Sequence, residues 1–309
     1  MEERTALREL AQGGVLLTCR ALRAGWPARS LTRALRAEGW GRLHAGAWLE
    51  PGRAVDLPAR LRAVQLLTPR LVVSHRSAAA LWRIETLAAT GEAPLEFIDP
   101  ALGFRGKAKG VRVRRMFLGP GDIASRYGLR VTSPVRTLTD LVRSLPRDDA
   151  LVALESAVTY RRVDRVRRAP LAGLDAVAAA LAPPSQGSAR ARRWLGLCDP
   201  RAGSPAETVA RLRMADAGLR PESQVELFTP LGRRAVLDFL FRREGLAVEI
   251  EGYAYHGTRE AHRRDVSRFN QVLQCPEVRS LLRFTAQDVF LESERMISEI
   301  WAALVALGR

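Results

Sequence analysis

The succession of helical and extended patterns after residue 200 is the feature that most constrains the fold of this chain. The segments are a helix at 204–217, extended runs at 224–228, 235–241 and 246–251, a charged helix at 258–274, a strand at 278–284 and a helix at 292–307. Ser204 stands where a helix cap belongs, and Pro205 occupies the first turn, where its missing N–H costs nothing. Extended runs interleaved with helices predict an α/β (α+β) fold.

Acidic residues interrupt the extended runs. Asp238 lies within the apolar run AVLDFLF, while Glu249 and Glu251, two residues apart, project from the same face of the next strand. Ten residues separate Asp238 from Glu249, a spacing that suits a hairpin holding the two side by side. Neighbouring carboxylates repel one another and destabilise a fold unless something neutralises them. A hard divalent cation does so, which predicts a site for Mg²⁺ or Mn²⁺.

Two further residues are candidates for the same site. Glu207 lies in the first turn of the helix at 204–217 and could add a third carboxylate. His256 follows closely after Glu251 and could relay a proton or contact a phosphate. A metal held there would polarise a phosphate and lower the pKa of a bound water.

An alternative interpretation needs no site. Glu249 and Glu251 could line the solvent face of an edge strand, and Asp238 could pair with one of the many arginines. The order of the surrounding elements, together with the sequence Glu-Gly-x-x-x-His that begins at Glu251, favours the site.

Five segments of this region resemble a known family. SPAETVARLRMADAGL, VLDFLF, VEIEGYAYHG, RRDVSRFNQVL and LLRFT occur in the order found in Vsr-like endonuclease domains, members of the PD-(D/E)XK nuclease superfamily. The resemblance covers about 200–309. It implies a restriction-endonuclease-like fold with a central mixed sheet flanked by helices. It also implies Mg²⁺ dependence and hydrolysis of phosphodiester bonds.

The resemblance also implies roles for individual residues. The matching positions are Asp238 for the central Asp, Glu249 for the acidic residue of the (D/E)XK element, Glu207 for the helical Glu, His256 for the His after the Gly turn, and Asp265 with Arg268 for a charged pair on the next helix. Asp238, Glu249 and Glu207 would then be the metal ligands. Glu251 departs from the pattern, because related domains have Asp there and the wider superfamily often has Lys.

The first 52 residues have the layout of a winged helix-turn-helix. Helical patterns at 4–12, 15–24 and 28–38 precede two strand-like pieces at 40–43 and 47–49. The third helix would offer four residues to a DNA groove and backbone: Arg29, Ser30, Arg33 and Arg36. The alternative is a small helical bundle whose outer arginines are only solvated.

The region from 53 to 182 mixes helices and strands. We expect a helix at 56–67, a helix capped by Ser74, and strands at 95–98, 111–117 and 129–132, with the PPSQGS stretch at 183–188 as the linker. GRLHAGAWLEPG, VVSHRSAAALW and VTSPVRTLTDLV resemble the AbiEi-type antitoxin fold, which implies DNA binding and autoregulation. His75 is interpreted as a structural hydrogen-bonding residue. The expected domains are therefore 1–52, 53–182 and 200–309, joined by 183–199.

Charge and cysteine content narrow the function class. The formal net charge is +16, and residues 1–200 hold 33 basic and 18 acidic residues. This excess predicts a polyanion partner such as DNA, although codon bias toward Arg would also produce it. Three scattered cysteines support neither a disulfide framework nor a zinc site. No apolar signal core or membrane-length run is present, so we expect a cytoplasmic protein with no membrane partner.

These observations lead to two main hypotheses. The first is a metal-dependent DNA endonuclease of repair or defence, with a basic amino-terminal region that docks the duplex. The second is a non-catalytic DNA-binding regulator, or antitoxin-like protein, that retains the nuclease fold as a scaffold. An RNA-directed nuclease or toxin is a third possibility that charge alone leaves open.

Overall fold

The structure, a computed structural model, describes residues 5–87, 93–103, 109–163, 166–251, 267 and 269–308. Helices and mixed sheets make up the chain, which confirms the predicted α/β fold class. Among the described residues, no helix has both the length and the apolar character needed to cross a bilayer. The chain divides into unit 1, Met1–Ile84 with Ala88–Asp140, and unit 2, Glu85–Leu87 with Leu141–Arg309.

The first part of unit 1 contains a short strand, two helices and a hairpin. Its elements are β1 Val15–Leu17, α1 Thr18–Arg23, α2 Ala28–Ala37, β2 Gly41–His44 and β3 Ala47–Leu49. The three strands form an antiparallel sheet in the order β1-β3-β2. Leu31 and Leu35, one turn apart on α2, are buried with Trp40 and Trp48, so the apolar stripe of α2 determines how it packs.

Two predicted helices of this region differ from the structure. Residues 7–10 form turns rather than part of a helix at 4–12. The helix predicted at 15–24 begins only at Thr18, because Val15–Leu17 pair with Ala47–Leu49 as a strand. A short apolar run is compatible with either structure, and the pairing partner decided between them.

The rest of unit 1 is a five-stranded sheet with helices. Its elements are α3 Leu57–Leu67, β4 Val72–Val73, α4 His75–Trp82, β5 Leu95–Asp99, β6 Val111–Arg115, a 3₁₀ turn Pro120–Asp122, β7 Ile123–Arg126, β8 Leu129–Thr132 and the start of α5 Pro134–Ser144. The strand order is β6-β5-β4-β8-β7. Phe97 and Val131 lie at the centre of its core.

Unit 2 contains a hairpin, a four-stranded mixed sheet and most of the helices. Its elements are α6 Arg147–Val158, β9 Arg161–Val163, β10 Val166–Arg168, α7 Leu174–Leu181, α8 Ser188–Leu195, α9 Pro205–Asp216, β11 Glu222–Phe228, β12 Arg234–Phe241, β13 Leu246–Glu251, β14 Ser280–Thr285, α10 Ala286–Leu291 and α11 Ser293–Leu307. The sheet order is β11-β12-β13-β14, in which β13 and β14 are parallel and the other pairs antiparallel.

Both faces of this sheet are covered. On one face, Phe239 and Val248 pack with Val209 of α9 and Ile300 of α11. On the other face, a second cluster joins Leu237, Leu240, Ala247, Val272 and Val278. Such two-sided burial explains why β13 is almost continuously apolar apart from its two glutamates.

The boundary between the two compact units does not coincide with the expected domain boundaries. The division falls within α5 between Asp140 and Leu141, and the stretch 183–188 lies inside unit 2 rather than between domains. The reason is the buried carboxylate of Glu155 on α6. It accepts hydrogen bonds from Thr208 Oγ1 at 2.6 Å and Asp199 N at 2.8 Å, which joins α6 to α9.

Candidate functional site

Strand β12 loses its regular alternation at Asp238. Leu237 and Leu240 pack in the same hydrophobic cluster, whereas Phe239 and Phe241 pack in the cluster on the opposite face. In a regular strand, residues an odd number of positions apart lie on opposite faces. The face assignment therefore shifts by one residue at Asp238, so this acidic residue is at an irregular point of an otherwise apolar strand.

The neighbouring strand β11 is irregular at the facing position. Val225 pairs with Leu237 and Ser223 with Phe239, which places Gln224 opposite Asp238. The backbone of Gln224 is left-handed, with φ 51°, a conformation that is costly for a residue other than glycine. Backbone strain of this kind persists only where surrounding contacts hold it.

The side chain of Gln224 bridges two carboxylates. Its Nε2 donates to Asp238 Oδ1 at 3.1 Å and to Glu207 Oε2 at 2.8 Å. One amide nitrogen thus holds a residue of α9 and a residue of β12 at a single point. We call Glu207 and Asp238 the acidic pair.

The second oxygen of Asp238 is held by the backbone of β13. Ile250 N donates to Asp238 Oδ2 at 2.8 Å, while the last regular pair between β12 and β13 is Phe239 with Val248. Asp238 therefore satisfies a backbone N–H at the point where regular pairing of the two strands ends. Both of its oxygens have fixed donors, so its position is rigid.

Glu207 lies in the first turn of α9 and is buried. Only 8% of its surface is exposed, and Gly203 N donates to its Oε2 at 2.7 Å. Burial, and secondly the negative charge of Asp238, raise the pKa of Glu207 to about 7, against the lowering effects of its backbone and Ser204 hydrogen bonds and of Arg161. The pair is therefore poised to bind a proton or another cation at neutral pH.

Glu249 and Glu251 differ in their surroundings. Glu249 is buried, with 5% exposure, and directly precedes the Ile250 N–H that holds Asp238. Glu251 forms an ion pair with Arg283 of β14, and the Arg283 guanidinium carbon lies 3.4 Å from the centre of the Phe269 ring. Glu249 therefore lies in the strand whose backbone binds Asp238, and Glu251 is paired with the side chain of Arg283.

The three predicted metal ligands are not assembled as one ligand set. Across the described ranges, no three His, Cys, Asp or Glu side chains are grouped closely enough to hold a metal ion together. The structure brings Glu207 and Asp238 together through Gln224. His256, Asp265 and Arg268 lie outside the described residues, so their predicted roles stay predictions.

The donor chemistry of the acidic pair nevertheless fits a divalent cation. Mg²⁺ is commonly bound through one or two carboxylates while it keeps several waters and binds substrate phosphates. Glu207 and Asp238 supply two buried carboxylates, and Gln224 supplies an amide that could turn its oxygen toward an ion. Burial, and secondly the charge of Asp238, raise the pKa of Glu207, so a bound cation would favour its ionised form.

The predicted DNA-binding residues share one exposed face of α2. Arg29, Ser30, Arg33 and Arg36 are all exposed, opposite the buried Leu31 and Leu35. The Ser30 hydroxyl donates weakly to Pro27 O at 3.4 Å. This face of α2 is therefore a positively charged surface.

His75 is buried in unit 1, as expected of a structural histidine. Burial, followed by the positive charge of Arg114, lowers its pKa to about 4. Its Nδ1 lies 3.0 Å from Ser74 Oγ. Ser74 occupies the N-cap position of α4 but its side chain makes no cap hydrogen bond, so the predicted capping role of this hydroxyl is wrong.

Sequence reasoning missed two residues of this region. Gln224 gives no signal, because a single glutamine in an alternating strand is typical of a half-exposed position. Arg161 stands among many arginines, yet its side chain is only 2% exposed and its charge acts on Glu207. Only the spatial arrangement distinguishes either residue.

Comparison with known proteins gives relatives without assigned functions. No family model matches the chain. It is 27% identical over 254 residues to an uncharacterized protein of Mycobacterium tuberculosis, found in two strains, covering 79% of this chain and 86% of the relative. The crystal structure of the Rv2827c protein from Mycobacterium tuberculosis covers 70% of this chain and 84% of its own, with 18% identity and a TM-score of 0.39. That likeness is too weak to support an argument.

Proposed function

We propose that this protein is a metal-dependent endonuclease that hydrolyses phosphodiester bonds in DNA. The observation that supports the proposal is the acidic pair, which Gln224 holds at the point where regular pairing of β12 with β13 ends. Buried carboxylates of one sign destabilise a fold unless a cation neutralises them. A structure that fixes two of them by dedicated hydrogen bonds is consistent with a site kept for function.

Each residue has a role in the proposal. Glu207 and Asp238 would hold Mg²⁺ or Mn²⁺, with Glu249 as the further ligand that the resemblance implies. Such an ion, when bound, would polarise a phosphate and make a bound water more acidic. The backbone of Ile250 fixes the orientation of Asp238, and Gly203 fixes that of Glu207. Glu251 and His256 keep their predicted roles in orienting water and transferring a proton. The Vsr-like resemblance supports the same assignment.

DNA would be docked in part by unit 1. The exposed arginines of α2 lie on the second of two consecutive helices, and in helix-turn-helix proteins it is the second helix that contacts a DNA groove. The net charge of +16 favours a polyanion as partner.

A cleavage assay tests the catalytic proposal. Supercoiled, linear and mismatched DNA would be incubated with purified protein and Mg²⁺ or Mn²⁺, comparing wild type with Asp238→Asn and Glu249→Gln. Glu226→Gln is the matched control, because Glu226 is an exposed carboxylate on the same sheet. We expect the control to cut like wild type and each site variant to cut at least about 100-fold more slowly. Equal rates for all four proteins would disprove the proposal.

The competing function is a DNA-binding regulator with no catalysis. The observation in its favour is that the described residues form no three-member metal-binding group, while Glu251 is engaged by Arg283. A regulator would bind one DNA sequence, such as its own promoter, and leave it intact with any metal. Footprinting on that promoter, with cleavage measured in the same samples, separates the two functions.

A further inference from the structure

The hairpin of β9 and β10 places arginines opposite one another. Arg162 pairs with Arg167 across the strands, and Arg161 pairs with Arg168. Like charges at directly opposed positions destabilise an antiparallel pair. Because successive side chains alternate in direction, Arg162 and Arg167 are exposed on one face, while Arg161 and Arg168 are buried. This charged ribbon belongs to unit 2, the unit that contains the acidic pair.

One of the exposed arginines has an aromatic neighbour. The Arg167 guanidinium carbon lies 5.6 Å from the centre of the ring of Tyr160, whose side chain is 67% exposed. Among the described residues, neither Arg162 nor Arg167 forms an ion pair with a carboxylate. Their positive charges therefore face solvent.

Arg161 is a buried member of this ribbon. Its side chain is 2% exposed, and its ion pair with Glu85 has an N–O distance of 3.3 Å. Its three guanidinium nitrogens are shielded from solvent. A ligand that approaches the ribbon from solvent therefore meets the exposed arginines rather than this group.

These residues line a single open pocket. It has a volume of about 500 Å³ and is lined by Tyr160, Arg161, Arg162 and Arg167. Arginine suits phosphate, because its planar fork can donate two parallel hydrogen bonds to the oxygens. An exposed tyrosine beside such arginines offers a ring on which a base can stack.

We propose that Tyr160, Arg162 and Arg167 form a binding site for the phosphate backbone of a DNA strand. The inference rests on the proposed function, because it takes the ligand to be the DNA that the acidic pair would cut. Unit 2 then binds its substrate with its own cations, in addition to the α2 surface of unit 1.

Binding to a labelled 20-base-pair duplex, followed by fluorescence anisotropy without divalent metal, tests this site. The variant Arg162→Ala/Arg167→Ala changes only exposed side chains, so it should fold normally. The matched control is Arg233→Ala/Arg243→Ala, which removes the same charge from exposed turn positions of unit 2. Thermal unfolding and circular dichroism would verify the fold of both variants.

We expect the pocket variant to bind at least about 10-fold more weakly than the control. The slope of log affinity against log salt should also become shallower by about 2, since two phosphate contacts are lost. An equal loss in the two double variants would overturn the proposal.

The outcomes separate this site from the catalytic proposal. If the pocket variant alone loses affinity without metal and wild type does not cut DNA, the DNA-binding site is supported and the nuclease proposal fails. If wild type cuts DNA and the pocket variant binds and cuts as well as wild type, the nuclease proposal is supported and the DNA-binding site is excluded.

Discussion

At the residue scale, the fit between Gly203 and Glu207 decides where the buried carboxylate can lie. Gly203 N donates to Glu207 Oε2 at 2.7 Å. A Cβ added to Gly203 would lie 3.0 Å from both carboxylate oxygens of Glu207, closer than side chains normally approach. A glycine at position 203 is therefore needed because the Glu207 carboxylate lies so close, and not because of an unusual backbone angle.

We predict that Gly203→Ala destabilises the protein by about 1–3 kcal/mol, because the added methyl group displaces the carboxylate from its donors. Urea denaturation would measure the free energy of unfolding. Gly121→Ala is the control, since Gly121 is exposed and a Cβ there meets nothing within 4 Å, and it should change stability by less than about 0.5 kcal/mol. Equal effects of the two substitutions would contradict the close-approach argument.

The lowered pKa of His75 predicts a defined pH dependence of stability. The unfolded chain takes up a proton near the ordinary pKa of 6.5, whereas the folded protein does so only near 4. The unfolded state therefore binds more protons between these values, and stability falls as pH drops from about 6.5 to 4.

The variant His75→Asn isolates this contribution. Asn tolerates the left-handed backbone of His75, whose φ is 49°. The stability of the variant relative to wild type should rise by up to about 3 kcal/mol as pH falls from 7 to 4, because the variant has no group to protonate. Denaturation midpoints at several pH values would show a constant difference if His75 titrated normally.

At the element scale, paired irregularities in β11 and β12 create the candidate site. The positive φ of Gln224 and the shift of faces at Asp238 occur at facing positions. Bulge-like irregularities of this kind commonly redirect a side chain near a functional site.

Two substitutions at Gln224 separate strain from hydrogen bonding. Gln224→Ala and Gln224→Gly both remove the amide bridge, but only Gly adopts φ 51° without steric cost. We expect the Gly variant to be more stable than the Ala variant by about 1 kcal/mol, the reverse of the usual order within a strand. Thermal unfolding of the pair checks this, and a more stable Ala variant would show that the backbone there is unstrained.

At the scale of the whole molecule, the charge is unevenly distributed along the chain. Residues 1–200 contain 15 more basic than acidic residues, whereas residues 201–309 are nearly balanced, with 16 arginines against 15 acidic residues. In the proposed nuclease, the cation site and most of the positive charge that would attract DNA therefore lie in different segments of the chain.

The salt dependence of DNA binding tests whether the arginines of α2 contribute to the binding of DNA. We predict that affinity falls steeply with salt and that Arg29→Ala/Arg33→Ala/Arg36→Ala makes the slope of log affinity shallower by about 3, because three phosphate contacts are lost. Anisotropy titrations at several NaCl concentrations would measure the slope. An unchanged slope would exclude α2 from the DNA-binding surface.

The sequence alone determined the features that depend on local periodicity and capping. The apolar stripe of α2 and the Ser204–Pro205 start of α9 are local signals, and the structure confirms both elements. Turn residues between apolar runs likewise predicted β12 and β13. Acidic residues inside those runs were sufficient to select Asp238 and Glu249 as candidates.

Tertiary structure decided what depends on partners distant in sequence. Val15–Leu17 became a strand because β3 was available to pair, and Glu155 joined α6 to unit 2 because Thr208 and Asp199 satisfied its buried carboxylate. Gln224 reaches both members of the acidic pair only because packing holds its backbone at a positive φ. Local sequence encodes propensity, whereas such positions are set by contacts whose free energy exists only once the chain is folded.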